Sequence, residues 1–136
     1  MKRGLLLFAA VLAAALLGMQ LIPVQRVNPP IEDTVEWSSP RAREIFYRSC
    51  ADCHSNETQW PWYSRIAPVS WAVARHVRKG RHDLNISVPD EVDASEAVDS
   101  IRDGSMPPRY YLLTHPRARL SEDDKAALIS GLKETF

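Results

Sequence analysis

The sequence lacks the features that mark a polyanion-binding or heavily cross-linked protein. Lys plus Arg and Asp plus Glu number 17 each in 136 residues, so the formal net charge is zero. No basic patch resembles a nucleic-acid footprint, and no nucleic-acid partner is expected. The only two cysteines cannot build a disulfide framework, and their close spacing indicates chemistry instead. The length allows one small domain and little else.

A long charge-free stretch lies near the start of the chain. From Gly4 to Gln25 the sequence has 22 consecutive uncharged residues, which as a helix would span about 33 Å and cross a bilayer core. Lys2 and Arg3 precede it, which favours a cytoplasmic N-terminus. A cleaved signal peptide is the alternative, but Leu16 and Leu17 continue the apolar run beyond the small residues at 13–15. We expect residues 1–26 to be a membrane anchor (or signal peptide), with the remainder exported.

The exported part divides into an extended tether at 27–38, which contains Pro29 and Pro30, and a helical domain at 39–136. Four helical patterns are expected, and no segment alternates as a strand. The first begins at Ser39 and Pro40 and includes Cys53 on its apolar stripe. The other three are Val69 to Lys79 with Gly80 as its stop, Asp93 (capping box with Glu96) to Gly104, and a helix capped by Ser121 and Asp124.

One motif carries the chemistry. Cys50-Ala51-Asp52-Cys53-His54 is a C-x-x-C-H sequence, typical of c-type haem attachment. Two thiols three positions apart can each form a thioether to one vinyl group, and the adjacent imidazole can ligate the iron. The motif therefore predicts one covalent haem c, attached through Cys50 and Cys53, with His54 as an axial ligand.

Two other interpretations of the cysteine pair remain open. A thioredoxin-like dithiol would need a strand before the motif, where the sequence predicts a helix. A zinc site could combine Cys50, Cys53, His76 and His82, although the spacing matches haem attachment better.

Methionine is scarce, which narrows the choice of a second axial ligand. Of the three methionines, Met1 is the initiator, Met19 lies in the apolar stretch, and Met106 follows His54 by 52 residues. The two prolines after Met106 would stiffen its loop. Met106 is therefore the expected sixth ligand of the iron. His76, expected on the apolar face of its helix, is the rival ligand, or else a core histidine bonded to a carbonyl.

The segments around the motif suggest supporting roles. Residues 59–68 are dense in aromatics and prolines and could wall off one haem face or accept a hydrogen bond from His54. A cationic cluster formed by Arg75, Arg78, Lys79 and Arg81 would neutralise haem propionates or form a solvated helix face.

Taken together, these motifs resemble the small haem-binding-domain family of membrane-anchored bacterial cytochromes c. The resemblance rests on Asn28-Pro29-Pro30, Cys50 to Ser55, WPWYS at 60–64, APVSW at 67–71, His76-Val77, Gly80-Arg81, Leu84-Asn85, Met106-Pro107-Pro108, Tyr111, His115-Pro116 and Leu120-Ser121. It implies a class I-like, all-α cytochrome c fold around one haem, with Cys50, Cys53 and His54 as haem-binding residues and Met106 in support.

The expected function is single-electron transfer at the periplasmic face of a bacterial inner membrane. The expected partners are redox proteins, either membrane complexes or soluble periplasmic ones. With His54 and Met106 filling both axial positions, no catalysis is expected. The alternatives are a haem-based sensor or peroxidase-like protein with a labile sixth ligand, a thiol–disulfide oxidoreductase, and an assembly subunit whose haem mainly stabilises the fold.

Overall fold

The computed structural model describes residues 2–136, with the exception of the Glu91 side chain; Met1 lies outside the described residues. Within this range the chain forms seven α-helices and no strand, which confirms the all-α class. The helices are α1 (Lys2–Met19), α2 (Pro40–Ser49), α3 (Ala51–His54), α4 (Val69–Asp83), α5 (Ser95–Arg102), α6 (Arg109–Thr114) and α7 (Glu122–Thr135). Three 3-10 turns occur at Trp62–Arg65, Pro89–Glu91 and Pro116–Ala118.

Helix α1 is the one described helix that is long and apolar enough to cross a membrane. It has 18 residues with a mean hydropathy of 1.8 and is not buried against the rest of the chain. At 1.5 Å per residue it spans about 27 Å. It ends at Met19, six residues before the end of the uncharged run at Gln25. Pro23 explains the early end, because proline lacks an amide N–H and its ring clashes with the carbonyl four residues earlier.

The described chain forms two compact units. The first contains the residues up to Val27 together with Trp60–His76, and the second contains Asn28–Gln59 and Val77–Phe136. Helix α4 contributes its first eight residues to the first unit and its last seven to the second. The C-x-x-C-H motif and Met106 both belong to the second unit.

The core of the second unit lies between α2, α5 and α7. Predicted helix starts are confirmed at two of these: the Ser39 hydroxyl accepts from the Ala42 amide at 3.4 Å, and Ser121 and Asp124 form a capping box. The core comprises Ile45, Phe46, Ala51, Leu84, Ile86, Ala94, Val98, Ile101, Leu128 and Leu132. Helices α2 and α7 approach so closely that a Cβ at Gly131 would overlap the Ala42 methyl.

The segment expected to be a tether, 27–38, has neither helix nor strand, but most of it is bound to the second unit. The Asn28 amide donates to the Thr58 carbonyl at 3.0 Å, and the Glu32 amide donates to the Ser87 carbonyl at 3.0 Å. The Trp37 ring lies 5.2 Å from that of Phe46. From Asn28 onward the segment is therefore part of the packed structure.

Helix α4 differs from its prediction in length and in its buried face. It continues through Gly80 to Asp83, so the expectation that Gly80 stops the helix is wrong. The buried positions include Ala74 and Val77, whereas His76, expected on the buried face, is exposed. Val77 was expected on this face, whereas the other buried positions carry small residues, Ser70, Ala74 and Gly80, which allow close packing.

The other predicted boundaries also shift. Helix α2 ends at Ser49, so Cys53 lies on a separate short helix and not on the α2 stripe. Helix α5 begins at Ser95, and Asp93 accepts the Ser95 amide at 2.9 Å in place of the expected capping box. Its predicted end is confirmed, since Gly104 has φ of 77°, a conformation that favours glycine.

Candidate functional site

The five residues of the C-x-x-C-H motif form one tight turn. Cys50 precedes α3, and its carbonyl accepts the amides of both Cys53 and His54 at 3.0 Å. The two cysteines are not joined by a disulfide. Residues three and four apart on a helix share a face, so this turn holds both thiols and the adjacent imidazole on one short, rigid element.

The His54 imidazole is held in a defined orientation. Its Nδ1 lies 3.1 Å from the Leu84 carbonyl, and because a carbonyl can only accept, the proton is on Nδ1 and the Nε2 lone pair is available. Burial lowers the pKa of His54 below its usual value. The imidazole is therefore neutral at pH 7, the form that ligates metals.

A backbone hydrogen bond also joins His54 to the segment that contains Leu84. The Ile86 amide donates to the His54 carbonyl at 3.0 Å, and the Leu84 amide is itself bound to the Gly80 carbonyl at 2.9 Å. The acceptor for His54 thus comes from the segment after α4, and the expectation that it would come from residues 59–68 is wrong.

Gly80 allows α4 to approach the motif. A Cβ at this position would lie 2.6 Å from the Cys53 carbonyl oxygen and 2.9 Å from the Cys53 Cβ. Both distances are well below ordinary contact, so any side chain at 80 would have to displace backbone. The close approach places Leu84, one turn later, within reach of His54.

Both thiols are held in their protonated form. Burial, followed by the neighbouring Cys53, raises the pKa of Cys50 to about 12. Burial and the Asp52 charge raise the pKa of Cys53 to about 11. A thiol–disulfide oxidoreductase requires a cysteine whose pKa is lowered. No strand exists within residues 2–136 to provide the thioredoxin context either.

Arg81 binds the chain directly after the motif. Its Nε donates to the Ser55 carbonyl at 2.8 Å, and its Nη2 donates to Thr58 Oγ1 and Asn28 Oδ1, each at 2.8 Å. Lys79 forms an ion pair with Asp83 at 2.6 Å. Lys79 and Arg81, two of the four residues for which propionate binding or a solvated helix face was expected, therefore bind protein groups.

Met106 lies half-buried in the loop between α5 and α6. Its amide donates to the Ser100 carbonyl at 3.0 Å. Five residues later, the Tyr111 hydroxyl donates to Asp52 Oδ2 at 2.9 Å, which connects α6 to the residue between the two cysteines. The structure thus ties the segment that carries Met106 to the C-x-x-C-H motif.

The remaining histidines do not join this site to form a metal cluster. His76 and His82 are both exposed, and His115 stacks on Tyr111 with ring centroids 4.0 Å apart. Among the described residues no three His, Cys, Asp or Glu side chains group as metal ligands. The zinc interpretation with Cys50, Cys53, His76 and His82 therefore finds no support in the geometry.

The groups present fit a covalently attached haem. The donor set consists of two neighbouring thiols and a neutral imidazole whose Nε2 is available, which is the set that c-type attachment requires. The glycine contact between α4 and Cys53 and the Leu84 carbonyl fix these donors in place.

Comparison with known proteins supports haem binding. The sequence matches the profile of the haem-binding domain family over residues 14–134. The match covers most of the chain, so the chain belongs to the haem-binding domain family and is a haem-binding protein. No curated protein matches it, and no solved structure matches it.

Three supporting positions escaped sequence reasoning. Leu84 acts through its backbone carbonyl, which no side-chain pattern reveals. Gly80 was interpreted as a helix stop, and Arg81 as a propionate partner. The sequence does contain a signal that α4 continues past Gly80. Val77 and Leu84 are apolar and seven residues apart, which is the spacing of residues on one face of a helix.

Proposed function

We propose that this protein is a mono-haem c-type cytochrome that carries single electrons. In this proposal the haem is attached through Cys50 and Cys53, with His54 and Met106 as the axial ligands. The observation that carries it is the neutral His54 imidazole, oriented by the Leu84 carbonyl 3.1 Å away and directly adjacent to Cys53 in one helical turn.

The protein's own residues hold the ligand set rigid. The Leu84 carbonyl keeps the proton on His54 Nδ1, which orients Nε2 and increases its basicity. The haem would supply an iron that alternates between its ferrous and ferric states. A thioether ligand such as Met106 favours the ferrous state and a high reduction potential. A rigid ligand set moves little when the charge changes, and that favours rapid electron transfer.

Met106 is preferred to His76 as the second axial ligand. Met106 is half-buried and belongs to the same unit as the motif, whereas His76 is exposed and belongs to the other unit. With both axial positions filled, no site is left for a substrate, so we assign no enzymatic activity.

The proposed location is the periplasmic face of a bacterial inner membrane. Helix α1 could cross a membrane, and its first two residues, Lys2 and Arg3, favour an N-terminus inside the cell. C-x-x-C-H motifs with covalent haem suit an exported domain, and we propose membrane-bound or soluble periplasmic redox proteins as partners.

Covalent attachment is tested by the mass of the protein after expression with the haem-maturation machinery. The expected mass is that of the chain plus one haem. The haem should remain attached in acidified organic solvent, which extracts non-covalently bound haem. The double variant Cys50→Ser, Cys53→Ser should lose this mass, whereas His82→Ala, at an exposed histidine, should keep it. A wild-type protein that releases its haem to the solvent would refute the c-type assignment.

The electron-transfer role is tested by adding carbon monoxide to the reduced protein. We expect a low-spin absorption spectrum that carbon monoxide leaves unchanged, because two protein ligands hold the iron. Met106→Ala should bind carbon monoxide, and His76→Ala should behave as the wild type. Prompt binding by the wild type would instead favour a sensor or peroxidase-like protein. Loss of the low-spin spectrum in His76→Ala alone would transfer the ligand role to His76.

A further inference from the structure

The first compact unit joins the end of α1 to the aromatic loop, which we define as residues 60–69. Gln20, the first residue after α1, donates from Nε2 to the Ala67 carbonyl at 3.1 Å and accepts the Ala67 amide on Oε1 at 3.0 Å. A side-chain amide that pairs with both backbone groups of one residue mimics a strand pairing and fixes position and orientation together. The aromatic loop is therefore attached to the end of the apolar helix.

A second link strengthens this attachment. Arg26 Nη1 donates to the Ser64 carbonyl at 3.2 Å, so one residue on each side of Pro23, Gln20 and Arg26, binds a backbone carbonyl of the loop. Gln20 supplies partners to both backbone polar groups of Ala67. The residues that directly follow α1 are therefore bound to the aromatic loop within the first compact unit.

The aromatic loop exposes large apolar side chains that the fold does not cover. Trp62 is 73% exposed, Ile66 47% and Val69 46%, all within eight consecutive residues. Leu21 and Ile22, next to Gln20, are also exposed. We call Trp62, Ile66 and Val69 the interfacial patch. Such a concentration of exposed apolar side chains marks an interaction surface.

We propose that the interfacial patch inserts into the outer headgroup region of the same bilayer that α1 crosses. This inference rests on the anchor assigned under the proposed function. Gln20 follows the last residue of the span, so Ala67 lies at the level where the helix leaves the hydrocarbon. Tryptophan is enriched at this depth because its ring is apolar while its N–H seeks water.

The charges next to the patch suit the same depth. Arg65 and Arg26 are exposed; Arg65 lies between Trp62 and Ile66 in the sequence, and Arg26 binds the loop at the Ser64 carbonyl. Long cationic side chains near the end of a span extend towards the headgroups. A bilayer therefore meets both the apolar and the cationic groups of this loop, and the aromatic loop acts as a second point of membrane contact beside α1.

The test places a nitroxide spin label at position 62 or 66 of the full haem-loaded chain. The protein is held in nanodiscs of phosphatidylethanolamine and phosphatidylglycerol. Trp62→Cys and Ile66→Cys are the test variants. Leu12→Cys, in the middle of α1, calibrates the bilayer interior, and Asp123→Cys, at an exposed charged residue of α7, calibrates water. Accessibility is compared between oxygen, which concentrates in lipid, and a water-soluble nickel chelate.

The expected result is a ratio of oxygen to nickel accessibility at positions 62 and 66 that is shifted from the Asp123 value towards the Leu12 value. A ratio equal to that at Asp123 would overturn the proposal. Protection from both reagents would also overturn it, since a protein partner would then cover the patch. Haem absorption of the wild type shows whether haem is bound, and the labelling of its native thiols shows whether Cys50 and Cys53 are free, so both report on haem attachment separately from the depth measurement. If the native cysteines label, the experiment is repeated with both changed to serine, and the depth measurement still stands.

Discussion

The contact between Gly80 and Cys53 provides a sharp test of the site geometry. Gly80→Ala adds one methyl group to α4, where it would lie 2.6 Å from the Cys53 carbonyl oxygen and 3.0 Å from the Cys53 carbonyl carbon. These obstacles are backbone atoms of the motif and cannot rotate away, as a flexible side chain could. Either α4 or the motif has to move.

Two opposing effects set the magnitude. Alanine in a helix interior is favoured over glycine by about 1 kcal/mol. Overpacking typically costs about 1–3 kcal/mol, and obstruction by backbone favours the upper part of that range. The expected net loss is therefore about 1–2 kcal/mol. For a domain of this size that corresponds to a fall in Tm of about 5–10 °C.

The assay is thermal and guanidinium unfolding of the haem-loaded protein, followed by far-UV circular dichroism and by haem absorption. Ala72→Gly, at an exposed position of the same helix, measures the propensity difference without the contact and should cost about 1 kcal/mol. Adding the loss measured for Ala72→Gly to the net loss measured for Gly80→Ala gives the cost of the close approach, because the alanine at position 80 gains the helix propensity that the glycine at position 72 loses. A Gly80→Ala protein as stable as the wild type, or more stable, would refute the contact and with it the reason that Leu84 reaches His54.

Three further predictions concern the supports of the site and of the fold. Tyr111→Phe removes the hydrogen bond to the Asp52 carboxylate and should cost about 1.5–3 kcal/mol in guanidinium unfolding; an unchanged midpoint would contradict that bond. Arg81→Lys keeps the charge but cannot reproduce the three donors of the guanidinium, so the Tm should fall while the haem remains attached, and an unchanged Tm would show the bonds to be dispensable. The hydrogen bond from the backbone amide of Ser121 lowers the pKa of Asp124 in the folded protein. The Asp124 carboxylate therefore stabilises the fold fully at pH values above its unfolded pKa of about 3.9. This stabilisation is lost as the pH falls through the lower pKa of the folded state. Asp124→Asn should therefore show a shallower loss of stability with acid than the wild type, and equal slopes would contradict the pKa shift.

Sequence reasoning succeeded where local chemistry decides the structure. Ser39 and Ser121 were predicted as helix caps and serve as caps, because a cap depends on a few adjacent residues. The all-α class followed from helical periodicity in the same way. The thiols and imidazole of the motif are adjacent in sequence, so a single turn places them together without help from the rest of the fold.

Sequence reasoning failed where contacts between residues far apart in the sequence decide the structure. Gly80 is a helix breaker by propensity, yet it lies inside α4 because packing against Cys53 outweighs its backbone entropy. His76 was placed on a buried face because its apolar neighbours suggested one, whereas the buried face consists of Val77 and the small residues Ser70, Ala74 and Gly80. The Leu84 carbonyl belongs to the backbone, and side-chain patterns carry no information about its direction.

The hydrogen bonds of residues 28–32 limit where the chain can be cut to obtain a water-soluble fragment. A fragment that starts at Ser39, where the helical domain was expected to begin, would lose the Asn28 bonds to Thr58 and Arg81 and the Glu32 bond to Ser87. It would also lose the Trp37 ring that packs on Phe46. Expression vectors for spectroscopy should therefore fuse a periplasmic leader upstream of Asn28, so that residues 28–38 and their bonds to the second unit are retained.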